Sequence, residues 1–268
     1  MNKFSLKSYF DSKTIALVGP SPHLLKKNMG SFLDSFDLIV RVNEVGINSN
    51  LYKDYGSRTD IAFLTLTDQS KEVYKAMIKK TDTNNLKLVI HPRDAFNQNP
   101  FDNAASSTTE AKKIFDELEI SVDYHQVLEP PFNKICNMYN SFPTTGALAI
   151  QELTKYDYKK LYVCGFSFFT TKFMYNDERK IFQNSSPSKI TKHNIRRPGH
   201  NIKNEVRVIR RIIDQHNKKN ISGDYMFRRI IMSKTRIYYL IKRFTNYYLN
   251  FDAMKNLLKL SFRWLKNI

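Results

Sequence analysis

The chain is poor in cysteine and has no long apolar run. Its two cysteines, Cys136 and Cys164, are too few for a disulfide framework and lack metal-ligand spacing. No run of about 18 apolar residues occurs, so we expect no helix that crosses a bilayer. The N-terminus lacks the basic, apolar and small-residue pattern of a signal peptide, which predicts a cytoplasmic protein.

Acidic side chains are scarce relative to basic ones. The 268 residues include 43 Lys and Arg against 25 Asp and Glu, a net charge of +18. Residues 225–268 hold ten basic side chains and one acidic one, Asp252, and so carry half of that charge. Such an excess indicates a negatively charged partner: a nucleotide, a phospholipid surface or another polyanion.

Two common ligand-binding motifs are missing. The absence of G-x-G-x-x-G argues against a nicotinamide site, and the absence of D-x-D removes the usual carboxylate clamp for a metal on a nucleotide sugar. The six histidines lack zinc-ligand spacing. We therefore expect no metal and no cofactor.

Apolar runs alternate with helical patterns along the first two thirds of the chain. The runs predict strands at 14–19, 37–42, 60–66, 86–91 and 161–166. Helical patterns lie near 68–80, 108–118 and 145–156. This alternation predicts an α/β fold, a Rossmann-like parallel sheet flanked by helices. Ligands of such sheets bind beyond the carboxyl ends of the strands, which places residues 19–21, 41–43 and 165–168 around one crevice.

The predicted domain covers residues 1–224. Within it, the polar stretch at about 167–200 is either a lid over the crevice or a disordered segment, and we favour the lid. Residues 225–268 form a tail in which aromatic and basic side chains alternate. The tail is typical of an interfacial membrane anchor, although a helical cap on the core and a site for single-stranded nucleic acid fit the same pattern.

Several residues near the predicted strand ends suit ligand binding. Gly19 and Ser21 let a ligand approach the backbone, and Asn43 offers a donor and an acceptor to a base or sugar edge, or simply lies in a turn. Thr144 or Thr145 caps the predicted helix that includes Gly146. Such a helix start either binds a phosphate or serves only as a cap.

His200 precedes an amphipathic helix whose apolar residues recur at Ile202, Val206, Ile209 and Ile213. Pro198 and Gly199 interrupt the chain before it, which places His200 at the helix mouth. An imidazole there either acts as a general base near neutral pH or is an ordinary surface histidine.

Four segments, in order, resemble the motifs of the animal-type sialyltransferases of glycosyltransferase family 29. The large motif of that family resembles residues 18–21 taken with 37–43 and 56–59. Its small motif resembles residues 143–146 followed by 161–166, and its very short motif resembles residues 200–205. Gly199-His200-Asn201 and its helix also resemble the bacterial lipooligosaccharide sialyltransferases of family 42. There a Tyr ten residues after the strand-ending Gly contacts the leaving phosphate, which corresponds to Tyr175 after Gly165.

The resemblance implies an inverting, metal-independent transfer of sialic acid from CMP-sialic acid. His200 would be the base and Tyr175 would stabilise the leaving phosphate. The implied substrate-binding residues are Gly19, Ser21, Asn43, Thr144, Thr145, Gly146, Phe166, Ser167 and Glu205.

The chain departs from the family pattern at three places. Pro20 stands where the family has an Asn that touches the nucleotide, the Cys before the first motif is absent, and the family's further His has no clear counterpart, His193 being the candidate. A donor carrying Kdo, another keto-acid sugar, would demand similar chemistry.

The expected partners are a CMP-sugar donor, a glycan or glycolipid acceptor and the inner membrane face, with no nucleic acid. The alternative is a non-enzymatic basic protein that binds membranes or nucleic acid.

Overall fold

A parallel sheet forms the centre of the structure. The computed structural model describes residues 6–93, 108–168, 200–215 and 220–232. Within these residues the sheet has seven strands in the order β5-β4-β3-β2-β1-β6-β7. In chain order the strands are β1 Thr14–Val18, β2 Leu38–Val42, β3 Ile61–Phe63, β4 Leu88–His91, β5 Asp123–Gln126, β6 Lys160–Cys164 and β7 Ile221–Gly223.

Both faces of the sheet are buried. Ile15 and Leu17 of β1 pack into one core, whereas Ala16 and Val18 pack into another on the opposite face. Because successive side chains of a strand point to opposite faces, a strand covered on both sides must be apolar throughout, as the predicted runs are. Each of the five predicted runs overlaps a strand, and the predicted α/β class with a parallel sheet flanked by helices is confirmed.

The helices cover the two faces in separate groups. In chain order they are α1 Leu6–Phe10, α2 Gly30–Asp34, α3 Tyr52–Tyr55, α4 Asp68–Lys80, α5 Thr108–Asp116, α6 Phe132–Tyr139, α7 Thr145–Leu153, α8 Ile202–Gln215 and α9 Tyr225–Phe227. Side chains from α1, α6, α7, α8 and α9 share one core, and those from α2 to α5 contribute to the cores of the other face. The predicted helical patterns correspond to α4, α5, α7 and α8.

The compact unit of the structure continues past residue 224, the predicted end of the domain. It extends to Ile231, and Phe227 and Ile231 are buried in its core. The rest of the predicted tail, from residue 233, lies outside the described residues, as do residues 169–199 of the predicted lid. No helix among the described residues is long and apolar enough to cross a membrane.

Candidate active site

The carboxyl ends of β1 and β6 meet where the strand order of the sheet changes direction. Open parallel sheets bind ligands at such a point. Gly19 follows β1 and Gly165 follows β6, and Gly19 N donates to the Cys164 carbonyl oxygen at 2.8 Å. A Cβ atom on Gly19 would lie 2.6 Å from the Gly165 carbonyl oxygen, and Gly165 has a φ of +74°. Both glycines are therefore needed for this close approach. The predicted contact of Gly19 with a ligand stays a prediction.

Ser21 belongs to a chain of hydrogen bonds that ends at Asp224, directly after β7. Ser21 Oγ lies 2.8 Å from His23 Nδ1, and His23 Nε2 lies 2.7 Å from Asp224 Oδ2. The same Oδ2 accepts from Gly165 N at 2.8 Å, and Asp224 Oδ1 accepts from Phe227 N at 2.8 Å. Because a carboxylate accepts, His23 Nε2 carries the proton, and in the neutral ring Nδ1 accepts from the Ser21 hydroxyl.

Arg41 and Tyr55 also fix the position of the Ser21 backbone through hydrogen bonds. The Arg41 side chain is fully buried, and its guanidinium donates to the Tyr55 carbonyl oxygen at 2.8 Å and to Thr59 Oγ1 at 3.0 Å. The Tyr55 hydroxyl in turn donates to the Ser21 carbonyl oxygen at 2.6 Å. Arg41, which the sequence places at the crevice, therefore acts as an internal support for the loop after β1.

Asn43 follows β2 with a φ of +57°, a left-handed conformation that asparagine tolerates better than most residues. Its N donates to the Phe63 carbonyl oxygen at 2.8 Å, and its Oδ1 accepts from the Tyr74 hydroxyl at 3.1 Å. No described residue accepts a hydrogen bond from Asn43 Nδ2. This arrangement orients the side-chain amide, and the contact of Asn43 with a ligand stays a prediction.

The N-terminus of α7 is joined to α8 through Glu205. Thr144 N donates to Glu205 Oε1 at 3.0 Å, and Thr144 Oγ1 donates to Oε2 at 2.9 Å. Thr144 is the N-cap of α7, since its Oγ1 accepts from Ala147 N at 3.2 Å. Glu205 is 1% exposed, and burial raises its pKa to about 8 although the bonds from Thr144 act in the opposite direction. At this burial Glu205 supports the site from within rather than lining it.

His200 lies just before α8 with its side chain 29% exposed. Its Nδ1 is 2.6 Å from the Phe142 carbonyl oxygen and 4.0 Å from Glu205 Oε1. A carbonyl oxygen can only accept, so Nδ1 carries a proton and Nε2 is the basic nitrogen of the neutral ring. This tautomer is the one that a general base at the crevice requires.

The residues of the small motif pack around the ring of Phe166. A Cβ atom on Gly146 would lie 2.7 Å from Phe166 Cε1, and one on Gly19 would lie 3.0 Å from Phe166 Cδ1. The ring therefore lies close to both glycines.

Thr145 Oγ1 is 2.6 Å from Thr65 Oγ1, after β3, and the Thr145 and Gly146 amides have no acceptor among the described residues. Ser167 is buried beside Phe166 in the chain.

The chain matches the model of a known protein family over most of its length. The family model for glycosyltransferase family 29 (sialyltransferase) matches residues 6–217. The chain belongs to this family. Its enzyme class is therefore that of a glycosyltransferase, and the alternative of a non-enzymatic basic protein is set aside. The similarity to family 42 stays a prediction.

Two solved structures of sialyltransferases are similar to this family 29 chain. One is a mammalian sialyltransferase in complex with Gal-beta-1-3GalNAc-ortho-nitrophenol, with 15% identity, a TM-score of 0.43, and coverage of 81% of this chain and 71% of that one. The other is a mammalian sialyltransferase with 15% identity, a TM-score of 0.43, and coverage of 80% and 69%. No curated protein sequence matches the chain significantly.

Sequence reasoning about this sialyltransferase homologue missed His23, Asp224 and Thr65. His23 and Asp224 are 201 residues apart, and neither belongs to a motif, so only the order of β6 and β7 in the sheet brings them together. Thr65 lies inside the predicted run 60–66, and it follows a strand only because β3 ends at Phe63. Tyr175 lies outside the described residues, as does His193.

Proposed function

We propose that the chain is an inverting, metal-independent sialyltransferase. It moves sialic acid from CMP-sialic acid to a glycan or glycolipid acceptor, and His200 is the general base. The observation that carries this proposal is the 2.6 Å contact of His200 Nδ1 with the Phe142 carbonyl oxygen, which makes Nε2 the basic nitrogen. Family membership supports the reaction class.

In the proposed reaction the acceptor hydroxyl oxygen bonds to the anomeric carbon of sialic acid. The bond from that carbon to the phosphate oxygen of CMP breaks, and its electron pair leaves with CMP. His200 Nε2 takes the hydroxyl proton as the new bond forms. Attack opposite the leaving group inverts the anomeric carbon, and a positioned base contributes about 10²- to 10⁴-fold to the rate.

The donor is proposed to bind across the carboxyl ends of β1, β2 and β6. The α7 N-terminus favours a phosphate because its amides and helix dipole are positive there. Tyr175 would complete the stabilisation of the leaving phosphate, a role that rests on the resemblance alone. The proposed substrate-binding residues are Gly19, Ser21, Asn43, Thr144, Thr145, Gly146, Phe166 and Ser167, with Glu205 acting through Thr144.

We also propose that the enzyme works in the cytoplasm at the inner membrane face. The support is the basic and aromatic composition of residues 225–268, since each cation near an anionic surface contributes about 1 kcal/mol. A glycolipid acceptor would then share one surface with the enzyme.

CMP-Kdo is the second candidate donor, because Kdo is also a keto-acid sugar and its transfer from CMP would demand similar chemistry. The test compares the release of CMP from CMP-sialic acid and from CMP-Kdo, with a mixture of glycan acceptors and with EDTA present. The preferred donor identifies the sugar.

His200→Ala should lower transfer by about 10²-fold or more while CMP binding stays within about 2-fold, because the base touches the acceptor rather than the nucleotide. His125→Ala on the edge strand β5, where His125 is half-buried, is the matched control and should leave turnover unchanged. Unchanged turnover in His200→Ala would remove His200 as the base, and turnover that EDTA abolishes would refute the metal-free mechanism.

A further inference from the structure

Arg93, two residues after the end of β4, is a largely enclosed cation with no acidic partner among the described residues. Its Cζ lies 5.0 Å from the ring centroid of Phe132 and 4.4 Å from that of Phe142. Its Nε is buried without a hydrogen-bond partner, and no described residue engages either Nη by a hydrogen bond or ion pair. The backbone is fixed, since the Arg93 carbonyl oxygen accepts from Gln126 Nε2 at 3.0 Å.

The charge on Arg93 persists in this enclosure. Burial lowers its pKa to about 10, and the groups that oppose this effect are Cys136 and Tyr74. The guanidinium is therefore cationic at neutral pH. Aromatic faces compensate a buried cation only partly, because a cation–π contact contributes less than the desolvation of an ion costs. An anion supplied from outside the described residues would complete this site.

Phe142 connects Arg93 to the proposed base. Its ring contacts the Arg93 guanidinium, and its carbonyl oxygen is the atom 2.6 Å from His200 Nδ1. The Phe142 ring also lies 4.8 Å from the Phe132 ring, edge to face, and 6.3 Å from the His200 ring. One residue thus fixes the position of both the base and the cation, and β4 ends at the same edge of the sheet as β1 and β2.

We infer that Arg93 binds a carboxylate or other acidic oxygen group of the substrate beside the reacting hydroxyl. This inference rests on the proposed function. The planar guanidinium fits a planar carboxylate through two parallel hydrogen bonds, as an ammonium group cannot. Two groups have this chemistry: the carboxylate of the donor's sialic acid, and an acidic group on an anionic acceptor glycan.

The test compares Arg93→Gln and Arg93→Lys with wild type in the full chain. Lys160→Met is the matched control, because Lys160 lies 6.0 and 5.4 Å from the rings of Phe32 and Phe36 but at the amino end of β6. The measurements are the Kd of CMP, the Kd of CMP-sialic acid, and the KM of a neutral and of a sialylated acceptor. Thermal unfolding of each variant shows whether the fold is retained.

If Arg93 holds the donor carboxylate, Arg93→Gln should raise the Kd of CMP-sialic acid by about 10- to 100-fold and leave the Kd of CMP unchanged. If it holds an acceptor anion, only the KM of the sialylated acceptor should rise by that factor. In either case Arg93→Lys should recover part of the loss, and Lys160→Met should behave as wild type.

Equal effects of Arg93→Gln on all four constants, or no effect on any, would overturn the inference while the proposed function stands. A folded wild-type protein that binds neither CMP nor CMP-sialic acid would overturn the proposed function and this inference with it.

Discussion

Single polar side chains decide which atoms the crevice presents to a ligand. His200 and His23 each have one ring nitrogen assigned by a partner that can only accept, a carbonyl oxygen for His200 and a carboxylate for His23. The other nitrogen is thereby left to accept a proton or a hydrogen bond. In His23 it accepts from the Ser21 hydroxyl, and in His200 it is the nitrogen of the proposed base.

The hydrogen bonds of His23 with Ser21 and with Asp224 can be removed separately by substitution. His23→Asn retains a polar group near the position of Nδ1 and so keeps the contact with Ser21, whereas His23→Gln reaches Asp224 and loses Ser21. If Ser21 holds the nucleotide, His23→Gln should raise the KM of the donor by about 2- to 10-fold, the worth of one neutral hydrogen bond, with kcat unchanged. Steady-state kinetics with varied donor measures this.

His23→Asn serves as the comparison, with a smaller rise in the donor KM expected. Equal KM values for wild type and His23→Gln would show that the orientation of the Ser21 hydroxyl does not matter for donor binding.

At the scale of elements, the sequence predicts the strands that are buried on both faces but not the edge strands. β2 reads Leu-Ile-Val-Arg-Val with all five residues buried, so an apolar run marks it. β5 reads Asp-Tyr-His-Gln, with one exposed and three half-buried residues, and nothing in its composition distinguishes it from a loop. β7 has only three residues. The Asp224 contact was unpredictable for the same reason, because it depends on where β7 joins the sheet.

The site was more predictable where one segment holds several of its residues. The helix cap at Thr144 and the helix after His200 follow from local spacing, and both are observed. The link between them through Glu205 does not follow, since a glutamate in the first turn of a helix is usually solvated. Burying Glu205 against Thr144 joins the N-terminus of α7 to the first turn of α8.

This link makes folding depend on pH. Burial raises the pKa of Glu205 from 4.5 in the unfolded chain to about 8 in the folded one, so the folded state keeps a proton that the unfolded state releases. The contribution of Glu205 to stability is therefore fully present below pH 4.5 and declines as the pH rises to about 8. The decline is at most about 1.4 kcal/mol for each pH unit.

Glu205→Gln, which cannot ionise, should remove this decline. The free energy of unfolding, measured in urea from pH 5 to pH 8, should fall more steeply in wild type than in the variant. The difference between the two proteins isolates Glu205 from the other titrating groups. Parallel curves would mean that Glu205 is ionised in the folded protein throughout this range.

At the scale of the whole molecule, the most strongly basic segment of the chain follows the residues that form the described core. Residues 233–268 hold eight basic side chains and one acidic one, and hence +7 of the net +18. The compact unit ends just before them, at Ile231. Composition places the start of the basic tail at Tyr225, whereas burial places Phe227 and Ile231 in the core. A charge pattern therefore indicates an anionic partner, but it does not locate the last buried residue of the described core.

Two truncations distinguish these boundaries. A chain ended after Met232 keeps Phe227 and Ile231, so its urea midpoint and CMP affinity should match those of the full chain. A chain ended after Asp224 loses both side chains and the Phe227 N–H that donates to Asp224. Because removing one large buried side chain costs about 2–5 kcal/mol, this shorter chain should be strongly destabilised or unfolded.

The chain ended after Met232 also tests the proposed membrane contact, since it lacks the basic residues 233–268 but keeps Phe227 and Ile231 of the core. The full chain should float with vesicles that contain anionic lipid at low salt, and high salt should weaken this binding because the attraction is screened. The chain ended after Met232 should remain in the unbound fraction while it still turns over a soluble donor. Undiminished flotation of that truncated chain would place the membrane contact on the folded domain instead of the tail.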